Sequence, residues 1–202
     1  MGTDDFYHKR KKTRTSVKKK VEQKAVLIAL EDTKSSKYYF EGLIKDKGLT
    51  GQVIFAKHQG TNPKNVLNAI DQHIAANKKI KYSKKWIVID KDDWSLDELN
   101  GVISRAKANE VCVALSNESY ELWVLLHFKP ITRYMSRIDL NRELCEIFQE
   151  RFGMDYEKSI KDIYPLTVGL QQDAMTNARK LINMHKGNNG EINPVHMNPL
   201  TM

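Results

Sequence analysis

The 202-residue sequence has no run of about 18 apolar residues, which excludes an ordinary membrane-spanning helix. Its longest apolar stretches, such as Ala25-Val26-Leu27-Ile28-Ala29-Leu30, are the size of a β-strand. The N-terminus is charged where a secretory signal needs an apolar segment, so the chain is expected in the cytoplasm. Cysteine is scarce. Cys112 and Cys145 are too few and too far apart for a disulfide framework, and neither belongs to a CxxC pair; both read as small core residues. No local Cys/His cluster exists, which argues against zinc. No Gly-rich phosphate loop follows the first apolar run, which argues against a metabolite-processing nucleotide enzyme. No Walker motif is present, so any ATP hydrolysis belongs to a partner. There is no internal repeat.

What is present is a globular composition with an uneven charge. Apolar residues make up 41%, and the length suffices for one full core plus a small appendage. The net charge is +8, yet residues 1–24 hold nine Lys or Arg against three acids, so the body is nearly neutral. Residues 1–23 read as a basic tail carrying Lys9, Arg10, Lys11, Lys12, Arg14, Lys18, Lys19 and Lys20. Such a tail either grips a phosphate backbone through counterion release or serves as a disordered, solubilising segment. Its charge supports affinity for polyanions, not sequence recognition.

Beyond the tail, strands and helices alternate. Residues 24–30, 52–57, 86–89 and 110–115 read as strands, the first and third almost continuously apolar. Residues 35–47 have helical spacing, with Tyr38/Tyr39, Gly42/Leu43 and Ile44 on one face and Gly48 as a stop. Asn62-Pro63 is an N-cap followed by proline at the first helical position, and Val66, Leu67, Ile70 and Ile74 form that helix's apolar stripe. Residues 96–108 form a third helix, and another begins near Glu118. This order predicts an α/β core over 24–130, a parallel sheet covered by helices on both faces. Residues 131–202 are predicted to be a mainly helical extension ending in a Gly/Asn/Pro-rich loop.

In open parallel sheets, ligands bind beyond the carboxyl ends of the strands, and acids cluster there. Glu31 follows the first strand, Asp90, Asp92 and Asp93 follow the third, and Glu118 and Glu121 follow the fourth. Persistent extended geometry would turn Asp90 and Asp92 the same way, and helical spacing would put Glu118 and Glu121 on one face. Converging carboxylates repel and need a cation or protons, and all-oxygen ligation suits Mg²⁺ or Mn²⁺. Bland roles compete: Glu31 and Glu121 could stabilise helix first turns, and Asp92 or Asp93 could cap the helix that follows.

At these residues the chain resembles the RloB family, a Toprim-like group often encoded beside an RloA-type ATPase in bacterial defence loci. Three blocks carry the resemblance: residues 26–40, VLIALEDTKSSKYYF; residues 87–93, IVIDKDD; and residues 116–128, SNESYELWVLLHF. The resemblance implies a Toprim-type sheet in which Glu31 and the Asp90/Asp92 pair hold Mg²⁺, with Asp93 as a supporting candidate. It implies a phosphate contact for Lys34 and a second metal position or catalytic role for Glu121; His127 reads as helix packing ahead of a catalytic role. The first block departs from the family pattern. Asp32 stands where Gly is usual, and Thr33, Ser35 and Ser36 stand for Glu, Thr and Glu. Two functions follow: a Mg²⁺- or Mn²⁺-dependent nuclease in anti-phage defence, acting on DNA or RNA, or a non-catalytic nucleic-acid-binding or regulatory subunit of an ATPase-associated complex. A homo-oligomer is compatible with either.

Overall fold

The computed structural model describes residues 24–57, 60 and 62–185. The basic tail, with Lys9 through Lys20, and the closing Gly/Asn/Pro-rich loop lie outside the described residues. The elements run β1 (Ala25–Leu30), α1 (Ser35–Asp46), β2 (Val53–Phe55), α2 (Pro63–Ala76), β3 (Tyr82–Asp90), α3 (Leu96–Ala108), β4 (Cys112–Ser116) and α4 (Glu121–Leu126). Helices α5 (Arg137–Phe152), α6 (Ile163–Thr167) and α7 (Gln171–Met184) follow, with a short 3-10 turn before the last. The expected α/β architecture with a mainly helical C-terminal part is what the chain adopts. Among the described residues no helix is long and apolar enough to cross a membrane.

The four strands form one sheet in the order β2-β1-β3-β4, and every pair is parallel. Alternation along β1 divides the core in two. Leu27 and Ala29 join Ile87, Ile89 and Leu115 beneath Val66, Leu67 and Ile70 of α2 and Leu99 and Val102 of α3. Ile28 and Leu30 face the other way and join Val88, Ala114, Tyr39 and Phe40. That second cluster continues without a break through Trp123 and Leu125 of α4 to Leu140, Leu144 and Phe148 of α5 and Ala174 and Ala178 of α7. The C-terminal helices therefore pack on α1 and α4, on the same side of the sheet. With both faces buried, each central strand needs apolar residues at nearly every position, hence the unbroken apolar runs.

Element boundaries differ from the sequence reading where packing overrides pattern. β3 starts at Tyr82, because Tyr82, Lys84 and Lys85 pair with Ala25, Val26 and Leu27 of β1. Ser83 and Lys84 are exposed and Lys85 is half-buried, so this half of the strand lacks an apolar signature. β2 is only three residues long. The proline-led start of α2 is as expected, with Asn62 Oδ1 accepting from Lys64 N at 2.7 Å. α3 and α5 begin on capping boxes, Ser95 with Glu98 and Ser136 with Asp139. α4 begins at Glu121, so Glu118 precedes it and does not share a helix face with Glu121.

Candidate functional site

The strand order reverses between β1 and β3, and a crevice opens there beyond the carboxyl ends of the strands. Glu31 is one residue past β1 and Asp90 is the last residue of β3. The strand-end loops are hydrogen-bonded across one another. Glu31 N donates to Val88 O at 2.9 Å, Lys91 N to Ser116 O at 2.7 Å, and Asp92 N to Glu118 O at 3.0 Å. Asp92 has a φ of +41°, a left-handed conformation that Asp tolerates better than most residues. The extended geometry thus ends at Asp90, and this turn, not alternation, brings Asp92 to the same place. Glu31, Asp90, Asp92 and Glu121 all line one cavity of about 450 Å³.

The acids repel one another inside it. Glu31 is 6% exposed, and its Oε2 accepts from Asp90 N at 2.8 Å. Burial pushes its carboxyl up to about 7, and the charge of Asp92 adds to this against the relief from the Asp90 amide. Burial drives Asp90 well above the usual carboxylate range, reinforced by Glu31, Asp92 and Glu121, while the Tyr120 amide opposes the shift. Asp92 is also raised, mainly by burial, although Arg137 and Lys158 pull it down. Glu121 is 2% exposed and held at both oxygens: Ser119 Oγ donates to Oε2 at 2.5 Å, and Lys158 Nζ lies 3.1 Å from Oε1. Arg137 Nη2 meets Asp92 Oδ1 at 2.5 Å. Tyr120 also lines the cavity, and its buried hydroxyl has no hydrogen-bond partner among the described residues.

The remaining candidates separate. Lys34 is an exposed residue of the cavity rim. Asp32 accepts from Lys34 N and Ser36 N, both at 2.9 Å, and so organises the start of α1. Asp93 is exposed and is not among the side chains lining the cavity. Glu118 also lies off the cavity, accepting from the Tyr134 hydroxyl and from Arg137 N at 3.0 Å. His127 belongs to the core. Its Nδ1 donates to Trp123 O at 2.9 Å and its Nε2 accepts from the Tyr39 hydroxyl at 3.3 Å, while burial pushes its pKa down to about 4. Arg137 and Lys158 escaped the sequence reading, and Ser119 and Tyr120 lay within its third block without a role. The Ser136-x-x-Asp139 box would have placed Arg137 at a helix start, but no local signal connects it or Lys158 to the strand ends.

Among the described residues, no three His, Cys, Asp or Glu side chains are gathered into a ready coordination sphere. The donor chemistry nonetheless suits a hard divalent cation, because the four carboxylates come from three strand ends and supply only oxygen. Two of them are engaged by the chain's own cations. Fold and site together define a parallel α/β protein with an acidic crevice at its topological switch point. The family model for RloB-like proteins matches residues 26–202, and the chain belongs to the RloB-like protein family. Neither the curated proteins nor the solved structures yielded a match.

Proposed function

We propose that this RloB-like protein is a Mg²⁺-dependent nuclease that hydrolyses phosphodiester bonds, serving anti-phage defence in the cytoplasm. The observation that carries this reading is the convergence of Glu31, Asp90, Asp92 and Glu121 on one cavity whose wall also bears Arg137 and Lys158. A polyanionic substrate meets cations there, and a metal ion meets carboxylates. Asp90 and Asp92 would hold the ion, with Glu31 and Glu121 beside them and Asp93 outside the cavity in a supporting role at most. When bound, such an ion polarises the phosphate and lowers the pKa of a coordinated water. Glu31, pushed up to about 7, is suited to accept and return a proton near neutral pH. Lys34 on the rim and the basic tail, Lys9 to Lys20, would add affinity for the nucleic-acid backbone. An RloA-type ATPase is the partner that the family resemblance suggests.

One observation favours the non-catalytic alternative: Asp92 and Glu121 are already neutralised internally. Incubation with DNA, tRNA and other RNA in Mg²⁺, Mn²⁺ or EDTA separates the two. The nuclease reading expects metal-dependent cleavage that Asp90→Ala reduces by about 10²–10³-fold while the fold survives. Identical behaviour of wild type and Asp90→Ala on every substrate would sink it.

A further inference from the structure

Of the three cations that line the cavity, Lys34 lies on the rim after β1, while Arg137 and Lys158 come from the C-terminal extension and are both anchored through their backbones. Arg137 is the first residue of α5, and its backbone N–H is fixed on Glu118 of the loop after β4. Lys158 lies in the segment between α5 and α6, and its carbonyl accepts from the hydroxyl of Ser35 at the start of α1. In each case the backbone is tied to the α/β core. The side chains are not buried: the exposures are 40% for Arg137 and 55% for Lys158. Their partners are less accessible, Asp92 at 35% and Glu121 at 2%. Anchored backbones with half-exposed charged ends fit groups that turn between two partners.

The chemistry of the two ends supports such a turn. A guanidinium has five N–H donors in a planar fork, and a single bond to Asp92 leaves an edge suited to phosphate. An ammonium is a compact point charge on a flexible stem and binds phosphate readily. If Asp92 and Glu121 engage a divalent cation, their need for Arg137 and Lys158 disappears, and two positive charges remain on the cavity wall to meet phosphate oxygens.

We propose that Arg137 and Lys158 form a substrate clamp supplied by the C-terminal extension, neutralising Asp92 and Glu121 in the ligand-free chain and turning to the phosphate oxygens of a nucleic-acid strand once those carboxylates hold a divalent cation. The inference rests on the nucleic-acid reading of the site, but not on turnover. It makes the extension part of the binding site, and it makes metal and lysine or arginine direct competitors for the same carboxylates.

The full chain carrying Arg137→Gln, Lys158→Gln or both tests this, with circular dichroism confirming the fold. Mn²⁺ affinity, read by electron paramagnetic resonance, is expected to rise several-fold in each variant because an internal competitor is gone. Affinity for a single-stranded oligonucleotide in Ca²⁺, read by fluorescence anisotropy, is expected to fall. The slope of log K against log salt should flatten by about 0.7 for each cation removed. The charge-keeping variants Arg137→Lys and Lys158→Arg should restore most of the slope. Unchanged Mn²⁺ affinity overturns the clamp, and so does an unchanged salt slope. A wild-type protein that binds Mn²⁺ and oligonucleotide as described yet leaves every strand intact on a gel removes the nuclease reading and leaves the clamp standing.

Discussion

Glu31 and His127 are buried ionisable groups whose pKa values move in opposite directions, and this sets a measurable contrast. Glu31 titrates near its ordinary 4.5 in the unfolded chain and near 7 in the folded one. Between those values the folded chain binds more protons, so this contribution to stability is complete below 4.5 and is lost as pH rises through 7. The difference corresponds to about 3 kcal/mol at most. His127 is lowered from 6.5 to about 4, so here the unfolded chain binds more protons in that window and stability rises with pH. The two slopes oppose each other in the wild type. In EDTA, against the common background of the raised Asp90 and Asp92, Glu31→Gln is expected to make stability rise more steeply with pH than the wild type's between about 4.5 and 7, and His127→Gln to make it fall more steeply between about 4 and 6.5. Thermal unfolding at a series of pH values checks this; parallel profiles for the two variants would contradict the assignment. Glu31 was legible as a site residue because it directly follows an apolar strand. His127 was legible only as packing, and its bond to Tyr39, far away in sequence, was not.

Helix α1 shows how an element can carry a residue its own propensity disfavours. Glycine inside a helix costs up to about 1 kcal/mol relative to alanine. At Gly42, however, an added Cβ would lie 2.5 Å from Cβ and 2.7 Å from Cγ of Tyr164 in α6. Tyr164 is further tied to α1 by its hydroxyl, which donates to Asp46 Oδ2 at 2.9 Å. Gly42→Ala is therefore expected to destabilise the protein by about 1–3 kcal/mol despite its better helix propensity, read as a lower urea midpoint. A raised midpoint would mean that α6 moves aside without cost. The helical spacing placed Gly42 on the inner face of α1 but gave no reason for it, since the reason is a tyrosine from another part of the chain. The strands tell a similar story. The apolar halves of β1 and β3 were plain from composition, whereas Tyr82–Lys85 pairs with β1 through backbone groups that leave no hydrophobic pattern.

At the scale of the molecule, the acids and their cations were not equally readable. Each acid sits within a few residues of a strand end, so the strand order alone collects Glu31, Asp90 and Glu121. Arg137 and Lys158 reach the same cavity only because the C-terminal helices fold back across the sheet. Those helices also supply Leu140, Leu144, Phe148 and Ala174 to the core shared with Ile28, Leu30 and Val88. A chain ending after residue 130 would strip α5, α6 and α7 from α1 and α4 and expose the outer half of that core. It is expected to lose near-ultraviolet circular dichroism and cooperative unfolding, and a sharp two-state transition in the truncated chain would refute this. The cross-bonded loops at the strand ends have a different consequence. Because Lys91 and Asp92 are tied by their amides to Ser116 and Glu118, the backbone carrying the acids is ordered when the sheet forms. A ligand arriving there meets a preorganised frame, and the conformational entropy still to be lost on binding is confined to side-chain rotamers.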